Sequence, residues 1–493
     1  MARKEFLDYV WKYCIEPQLG YSFSINHTVP YSVVAVQEAN LATRWNPLYW
    51  QCACLCVNSG NYVGEIGEEE NEEDLTEDEE EKVTKKSAPN YKKIAKAISD
   101  AQMSGVNVEL PDINESQVDF IPDVKRNAIF YSLQAVNVVS DDLLDSIISN
   151  RPYTSIEDFY NKIKPTTAQI VGLVKAGCFD KLYNKPRRVI LDILLNFLAS
   201  LEIEKKSKLT NTQLKKAIEL KMPELKQYSN EIRIFNFKQY IEKKCLDIPT
   251  KRYILTEESC IKFFNLFIKE HLSIAKDEYG LLPNNSLFIK QSSFKKVCDS
   301  LCLPVLTWLN TEQGLDAYTN VLREDYKNQI IEKYCLGNES TWEFSTMCYY
   351  YSGHELKEMN NTLYDTRNFN KQPDTPKDNT IYSIAGTVIG TDNIKHIVSL
   401  LTVYGVVDVK FYAPHYNKYN QRISIVDAET KKKKVVDESW FKRGTKILVY
   451  GQRFENMFKA KNYRNNGYQR LVCLIENINL DGSLELRFSR KEK

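Results

Sequence analysis

The spacing of apolar residues separates a long helical part of the 493-residue chain from a β-rich part near its end. As far as about residue 340, apolar residues recur every three or four positions, which is the period of an amphipathic helix. From Thr380 to Lys493, short runs rich in β-branched residues end at glycines, which is typical of strands and turns. The pattern predicts a multidomain α+β protein that is mainly α-helical and has a C-terminal β-barrel.

The N-terminal segment is predicted to be helical. Pro30 suits the first turn of a helix, where its missing N–H leaves no bond unmade, so we expect a helix from Tyr31 to about Arg44. Asn46-Pro47 ends it, and the apolar run from Leu48 to Val57 predicts a second, buried helix. An earlier helix has an apolar face that must pack on something, formed by Phe6, Tyr9, Val10 and Tyr13.

The predicted helix that ends at Arg44 has a narrow polar face. Gln37, Asn40 and Arg44 are spaced i, i+3 and i+7, so they share one side of the helix. Val34 and Leu41 share another side. The helix therefore has an apolar side to bury and a polar stripe that ends in a cation.

Short helices with local caps are predicted between residues 128 and 182. Ser140 or Asp141 can cap the first, and Ser155 can cap the second. A third opens at Thr167 and ends at Gly177, where a left-handed C-cap is needed. This order predicts tandem helix-hairpin-helix units. The following segment, up to about residue 340, is predicted to be a helical insertion whose phenylalanines form a core.

The C-terminal domain has the composition of a five-stranded OB-fold barrel, with glycines at the bends and one short helix from Ala413 to Tyr419. The predicted strands are Tyr382–Gly390, His396–Tyr404, Gly405–Tyr412, Lys446–Phe454 and Gln469–Asn477.

Basic and aromatic residues alternate between the last two predicted strands. In an OB-fold, cations attract phosphate and rings stack on bases, so this loop predicts binding of single-stranded DNA. An ordinary solvated loop is the alternative, because Lys and Tyr are abundant throughout the chain. The same choice applies to the run from Lys431 to Lys434. The predicted binding residues are Phe458, Lys459, Lys461, Tyr463 and Arg464.

Two features that invite a metal or catalytic interpretation are better explained otherwise. Cys52, Cys54 and Cys56 point in different directions on a helix, whereas zinc needs four convergent ligands, so we expect free thiols and no metal site. His354 has no second carboxylate or Cys nearby in the sequence and is predicted to be a hydrogen-bonding hinge.

The charge distribution and the apolar runs limit the class of protein. A net charge of +1 excludes a uniformly basic nucleic-acid binder. The acidic run from Glu65 to Glu81 and the basic run from Lys82 to Lys96 predict a solvated linker, with imitation of DNA charge as the alternative. No run of about eighteen apolar residues and no signal sequence are found, and the twelve cysteines suit a reducing compartment, so we expect a cytoplasmic protein.

The order of residues in the N-terminal helices resembles the fingers segment of C-family replicative DNA polymerases, the bacterial DNA polymerase III alpha subunit. Further strings resemble the same family: Lys175–Asp180, Ser352–Leu356 and Ile384–Val388, as well as the Pro-x-Ile-Asn sequence at Pro111. The chain departs from the family at Asn46, which separates an aromatic residue from Pro47, and at Glu355, which replaces a proline. The fingers residues that carry the resemblance are Gly20, Tyr21, Asn26, His27, Tyr31, Gln37, Arg44, Trp45-Asn46-Pro47 and Trp50 to Leu55.

The resemblance implies that His27, Gln37, Asn40 and Arg44 face incoming nucleotide or template. It places the catalytic aspartates and their Mg²⁺ in a palm that precedes this segment, so no catalytic residue and no cofactor are expected in this chain. We therefore expect the C-terminal portion of a split replicative DNA polymerase, inactive alone, with a palm-bearing chain, primer–template DNA and single-stranded DNA as partners. A sliding clamp is a further candidate partner. The alternative is a non-enzymatic DNA-binding or scaffold protein of the replication machinery.

Six segments are expected on this interpretation. They are the end of the fingers (1–60), an acidic and basic linker (61–90), a strand segment with tandem helix-hairpin-helix units (91–184), a helical insertion like that of phage members of the family (185–340), a linker with the Ser352–Leu356 string (341–379), and the OB-fold (380–493).

Replacing Val138 or Val139 by aspartate is expected to leave binding of duplex DNA unchanged. DNA-binding hairpins usually carry glycines that let backbone N–H groups approach phosphate, and this chain has Asn137-Val138-Val139 there. Fluorescence anisotropy with a labelled duplex measures the affinity. A large loss in either variant would contradict a structural hairpin.

Overall fold

The computed structural model describes residues 3–16, 25–59, 90–374, 380–426, 433–465 and 468–490. They divide into two compact units, one of residues 1–190 with 337–493 and one of residues 191–336. The run from Glu65 to Glu81, most of the basic run after it, the pair Gly20-Tyr21 and Lys431-Lys432 lie outside the described residues.

The N-terminal helices follow the prediction except at Pro30. Pro30 lies inside a helix that begins five residues earlier, so the predicted start at Tyr31 is wrong. Its fixed φ is compatible with a helix interior, at the loss of one bond to the carbonyl of Asn26. The helices are α1 (Arg3–Val10), a π-helical turn (Trp11–Ile15), α2 (Ile25–Arg44), α3 (Pro47–Asn58) and α4 (Tyr91–Met103).

Helix α3 is the predicted second helix. The Asn46 side chain caps it by accepting from the Leu48 N–H at 3.0 Å, and Pro47 occupies its first turn. After α3, the carbonyl of Ser59 accepts a hydrogen bond from the backbone N–H of Asn90 at 3.3 Å. The chain therefore leaves α3 and enters α4 at nearly the same point.

The helix-hairpin-helix segment has its predicted caps. Ser140 caps the first helix and Ser155 the second, whereas Thr166 caps the third in a capping box with Gln169. Gly177 has a φ of +86°. The elements are a sheet of β1 (Asn107–Glu109), β2 (Ile121–Asp123) and β3 (Ala128–Phe130) in the order β1-β3-β2, then α5 (Asp141–Ser149), α6 (Ile156–Ile163), α7 (Thr167–Lys175) and α8 (Asp180–Tyr183).

The second unit contains a sheet that the helical prediction missed. Its strands are two to four residues long, too short for their alternation to stand out from the surrounding helical period. The strands are β4 (Leu246–Asp247), β5 (Arg252–Leu255), β6 (Tyr279–Leu281) and β7 (Leu287–Lys290), in the antiparallel order β4-β5-β7-β6.

The rest of the second unit is helical and has one core. Phe264 is fully buried there, and Phe263 and Phe267 pack against the same cluster, which confirms that these phenylalanines form a core. The helices are α9 (Arg187–Glu202), α10 (Asn211–Glu219), α11 (Ser229–Lys244), α12 (Glu258–Phe267), α13 (Gln291–Leu301), α14 (Leu303–Leu309) and α15 (Glu312–Tyr334), of which the first four residues of α9 count with the first unit.

The chain returns to the first unit through α16 (Glu339–Met347) and then forms the C-terminal barrel. The barrel strands are β8 (Tyr382–Asp392), β9 (Ile397–Thr402), β10 (Gly405–Lys410), β13 (Lys446–Phe454) and β14 (Met457–Ala460). The other elements are α17 (Ala413–Asn420), the hairpins β11 (Ile423–Val426) with β12 (Lys433–Asp437) and β15 (Tyr463–Asn465) with β16 (Tyr468–Arg470), and the strands β17 (Val472–Ile478) and β18 (Leu484–Arg487).

Strand pairing confirms the predicted five-stranded OB barrel. Strands β8, β9 and β10 are antiparallel neighbours, β10 pairs with β14 in parallel, and β13 pairs with both β14 and β8 to close the barrel. The predicted strand Gln469–Asn477 is present, but it is not the fifth strand of the barrel. That part of the chain forms β17, which pairs with β13 beside β14, and the four-residue β14 completes the barrel because Phe458 enters its core.

A buried carboxylate joins the helix-hairpin-helix segment to the chain that enters the barrel. Glu343 on α16 is fully buried. Its Oε1 accepts from Nη1 of Arg187 at 2.9 Å, while Oε2 accepts from the backbone N–H of Tyr351 at 2.8 Å and of Ser352 at 2.9 Å. The Ser352 hydroxyl adds a bond of 2.6 Å to Oε1.

Arg187 connects this carboxylate to the Lys175–Asp180 string. Its Nη2 donates to Oδ2 of Asp180 at 2.7 Å and its Nη1 donates to the carbonyl of Lys175 at 3.3 Å. Burial acts to lower the pKa of the Arg187 guanidinium, but the hydrogen bonds and charges of Asp180 and Glu343 outweigh it and raise that pKa. The buried guanidinium of Arg187 and the carboxylate of Glu343 thus link the Lys175–Asp180 string to Ser352, the first residue of the Ser352–Leu356 string.

Arg187→Ala is expected to destabilise the first unit by about 3–5 kcal/mol, because the Glu343 charge stays buried without its cation. The control is Arg188→Ala, since the neighbouring Arg188 is exposed and its loss should cost under about 1 kcal/mol. Urea unfolding gives the midpoints, and hydrogen exchange of the Tyr351 and Ser352 amides reports the local effect. Equal midpoints for the two variants would refute this role of Arg187.

Candidate nucleic-acid interface

All four residues predicted to face nucleotide lie on α2, but only three of them are close together. Gln37 and Arg44 are seven residues apart, which is about 10 Å along the helix, and Asn40 lies between them on the same face. His27 is seventeen residues from Arg44, or about 25 Å along a straight helix. Asn40 is half-buried and the other three side chains are exposed. His27 and Arg44 therefore cannot contact the same nucleotide from this helix.

The apolar sides of α1 and α2 are left exposed among the described residues. Val34 and Leu41, the side of α2 predicted to be buried, are 47% and 49% exposed. On α1 and the turn after it, Phe6, Tyr9 and Tyr13 are between 53% and 61% exposed. Surfaces of this kind mark protein–protein contacts. The part of the chain that the structure describes therefore leaves these apolar sides uncovered.

The valine hairpin before α5 is packed and bonded within the protein. The backbone N–H of Asn137 donates to the carbonyl of Thr346 at 3.0 Å, and the Asn137 side-chain amide donates to the backbone carbonyl of Ser345 at 2.6 Å. Val138 packs so closely on Gly172 that a Cβ added there would lie 2.5 Å from Cγ1 of the valine. These contacts support a structural hairpin, and Val139→Asp is the variant that leaves the contact with Gly172 in place.

The residues predicted to bind DNA in the barrel loop do not lie in one loop. Phe458 is fully buried in the barrel core and is not available to stack on a base, which corrects its assignment. Lys459 is half-buried on β14, with Nζ 3.2 Å from the centroid of the Phe454 ring. Lys461 is exposed and its Nζ donates to Oε1 of Gln452. Tyr463 and Arg464 lie on β15, and their side chains are outside the described residues.

Strand pairing brings other lysines beside Lys459. Lys410 is its register partner across the parallel β10–β14 pair, and the Lys410 Nζ donates to the carbonyl of Lys395 in the β8–β9 turn. We call Lys395, Lys410, Lys459 and Lys461 the basic stripe. Lys395 and Lys410 were missed because they are distant in sequence from the predicted loop. The alternation of Val407, Val409 and Lys410 could have placed Lys410 on the outer face.

His354 has the hydrogen-bonding role predicted for it. Its Nε2 lies 2.8 Å from the carbonyl of Leu401, and its Nδ1 accepts from the backbone N–H of Leu356 at 3.0 Å. This pattern fixes the neutral tautomer with the proton on Nε2. Burial lowers the pKa of His354 to about 4. The next residue, Glu355, forms an ion pair of 2.5 Å with Lys446 on β13.

The part of the chain that the structure describes shows neither a metal centre nor a membrane-spanning helix. No group of three His, Cys, Asp or Glu side chains there is placed to hold a metal ion. Cys52 and Cys56 instead both lie against the carbonyl of Phe120, at 3.3 and 3.4 Å from their Sγ atoms. No helix in that part is long and apolar enough to cross a membrane.

Comparison with known proteins confirms the resemblance found in the sequence. Residues 105–189 match a family described as a helix-hairpin-helix motif. The chain is 35% identical to the probable DNA polymerase YorL of Bacillus subtilis strain 168, and to the same extent to a DNA-directed DNA polymerase of Bacillus phage SPbeta. Each alignment covers 99% of this chain and 36% of the relative. The chain thus spans about a third of the length of these relatives.

Bacterial replicative enzymes match over a smaller part of the chain. The DNA polymerase III subunit alpha of Chlamydia trachomatis serovar D is 35% identical over 203 residues, which cover 40% of this chain and 14% of that protein. The corresponding subunit of Borreliella burgdorferi is 25% identical over 201 residues. The strings shared with DNA polymerase III alpha and the similarity to a phage polymerase therefore point to the same family.

His354 is expected to make the first unit less stable in mild acid. Its pKa of about 4 in the folded chain is below the ordinary 6.5, so the unfolded chain binds the proton more tightly. The stabilisation is complete above pH 6.5 and is lost as the pH falls towards 4, by about 3 kcal/mol in total.

Urea unfolding midpoints between pH 4 and 7 test this. The control is His354→Gln, which can keep a donor to the Leu401 carbonyl but does not titrate, so its midpoint should fall less steeply with acid. Identical pH profiles for the variant and the original chain would show that His354 does not carry the effect.

Proposed function

We propose that this chain, which resembles DNA polymerases over nearly its whole length, supplies the end of the fingers and the DNA-binding domains of a DNA-directed DNA polymerase. In this proposal the catalytic palm belongs to a separate polypeptide, and synthesis requires both chains. Two observations support the proposal: the similarity to polymerase relatives and the exposed apolar sides of α1 and α2.

The exposed apolar sides of α1 and α2 are the observation that carries the two-chain proposal. Val34, Leu41, Phe6, Tyr9 and Tyr13 are each about half exposed or more. Burial of apolar area contributes roughly 25 cal/mol per Å², so covering both helices would drive association strongly. In the proposed complex the palm-bearing chain covers these sides, and the polar face of α2 lines the cleft between the chains.

The roles of the α2 residues follow from their positions. A guanidinium can bind phosphate oxygens with two parallel hydrogen bonds, so Arg44 is assigned to the triphosphate of the incoming nucleotide. Gln37 and Asn40, on the same face, offer amide donors and acceptors to the same nucleotide. His27, about 25 Å away along the helix, is assigned to the template.

The chemistry of nucleotidyl transfer assigns the metal to the partner. Phosphoryl transfer of this type uses two metal ions held by neighbouring carboxylates. In this proposal Mg²⁺ is held by the palm of the other chain, and this chain holds primer–template DNA through its helix-hairpin-helix segment and its barrel. Arg44 then offsets negative charge on the triphosphate and orients it.

Arg44→Ala is expected to lower kcat/KM for nucleotide incorporation by roughly 10- to 100-fold, because a charge-assisted hydrogen bond contributes about 1.5–3 kcal/mol. Primer extension with this chain and the palm-bearing chain co-expressed measures it. Arg44→Lys should recover part of the loss. The matched control is Lys262→Ala, a 74% exposed cation in the second unit, which should leave the rate unchanged.

Two results would overturn the proposal in different ways. An unchanged rate and KM for Arg44→Ala would reject the assignment of α2 to the nucleotide. Synthesis by the purified chain alone would reject the separate palm. If the chain binds DNA but never supports synthesis with a palm chain, it is the alternative, a non-enzymatic DNA-binding or scaffold protein.

A further inference from the structure

The outer face of β9 and β10, where OB-folds often bind oligonucleotides, is covered in this chain. Leu401 and Val406 on these strands belong to an apolar cluster with Ala95 of α4 and with Phe344 and Tyr350 from the segment before the barrel. Helix α4 therefore occupies the usual platform from within the same unit.

An ion pair and a close packing contact hold α4 against these strands. Near its start, Lys92 forms an ion pair of 3.5 Å with Asp408 on β10. Further along, Ser99 lies so close to Gly405 that a Cβ added to the glycine would lie 2.5 Å from the serine hydroxyl. A cavity of about 300 Å³ remains between α4 and the strands. That volume is at the lower limit of small-molecule pockets, so an oligonucleotide cannot lie there beside α4.

The basic stripe lies on a different part of the barrel surface. Lys410 and Lys459 are paired across β10 and β14, and Gln452, the register partner of Lys459 on β13, accepts from Lys461. The stripe thus crosses three neighbouring strands, with Lys395 at the end beyond β10. Tyr412, 69% exposed, continues the outer face of β10 past Lys410.

The lysines of the stripe outnumber the carboxylates that lie beside them. Among the described residues none of the four forms an ion pair. Asp408 is on the same face of β10 but is bonded to Ser399 and to Lys92. The pKa of Asp392, which is also near, is lowered by hydrogen bonds from the backbone N–H groups of the β8–β9 turn and by the charge of Lys395. A row of cations that outnumbers the carboxylates beside it attracts phosphate.

We infer that the basic stripe binds the phosphate backbone of single-stranded DNA, in place of the platform that α4 covers. This rests on the proposed function, in which the barrel holds template strand. The contact is with phosphate more than with bases, because the face of the Phe454 ring is already occupied by the Lys459 ammonium. Binding at the stripe is therefore tolerant of sequence and steeply dependent on salt.

The test uses the full chain and a labelled oligothymidylate of about 16 nucleotides, the upper site size of an OB-fold. Lys410→Gln with Lys459→Gln should weaken binding by roughly tenfold or more at about 0.1 M salt. The slope of log affinity against log salt should become less steep by about 1.4, since each phosphate contact in a single strand contributes about 0.7. Lys410→Glu with Lys459→Glu should lose more.

The control is Lys243→Gln with Lys244→Gln, which removes the same charge from exposed positions at the end of α11 in the second unit. The control should bind as the original chain does, and a thermal melt of each variant checks folding. An equal loss in both pairs, or no loss in the stripe pair, would overturn the inference. Primer extension distinguishes failure of this inference from failure of the proposed function. If the stripe variant binds DNA normally and the two-chain polymerase is active, the role of the stripe is rejected and the proposed function stands.

Discussion

The first unit depends on the burial of one negative charge. Glu343 is fully buried, and an unpaired carboxylate there would be strongly destabilising, so its partners must stay in place. Those partners come from two parts of the chain: Arg187 at the start of α9, and the backbone of Tyr351 and Ser352 before the barrel. Arg187 in turn needs Asp180. Together, these hydrogen bonds and ion pairs fix the helix-hairpin-helix segment relative to the segment that leads into the barrel.

The same constraint determines which surface of the barrel remains free. Residues 344–350 follow directly from Glu343 and, with α4, cover the outer face of β9 and β10. Apolar side chains there are stabilised by burial, whereas nucleic acid would need them exposed. Cations are instead found where α4 does not reach, across β10, β14 and β13. The packing of α4 and residues 344–350 on β9 and β10 therefore also determines where the positive surface of the barrel lies.

Features that depend on neighbouring residues were predictable from the sequence, and features that depend on strand pairing were not. The caps at Ser140, Ser155 and Gly177 are local, and so is the start of α3. The barrel was predicted from its composition, but β14 is four residues long, and only its pairing with β10 shows that it closes the barrel. For the same reason Phe458 was assigned to a surface loop and Lys410 was overlooked. On α2, spacing correctly grouped Gln37 with Arg44, but the expected start at Pro30 hid the distance to His27.

The hydrogen bond between Ser59 and Asn90 has a consequence for how the chain can vary. Since α3 ends where α4 begins, Ser59 and Asn90, the residues that flank the stretch numbered 60–89, lie next to each other. The entropic cost of bringing the two ends of a flexible segment together rises by only about 0.6 kcal/mol for each doubling of its length. A protein engineer could therefore shorten this stretch, or splice a fluorescent domain into it, without disturbing either flanking helix.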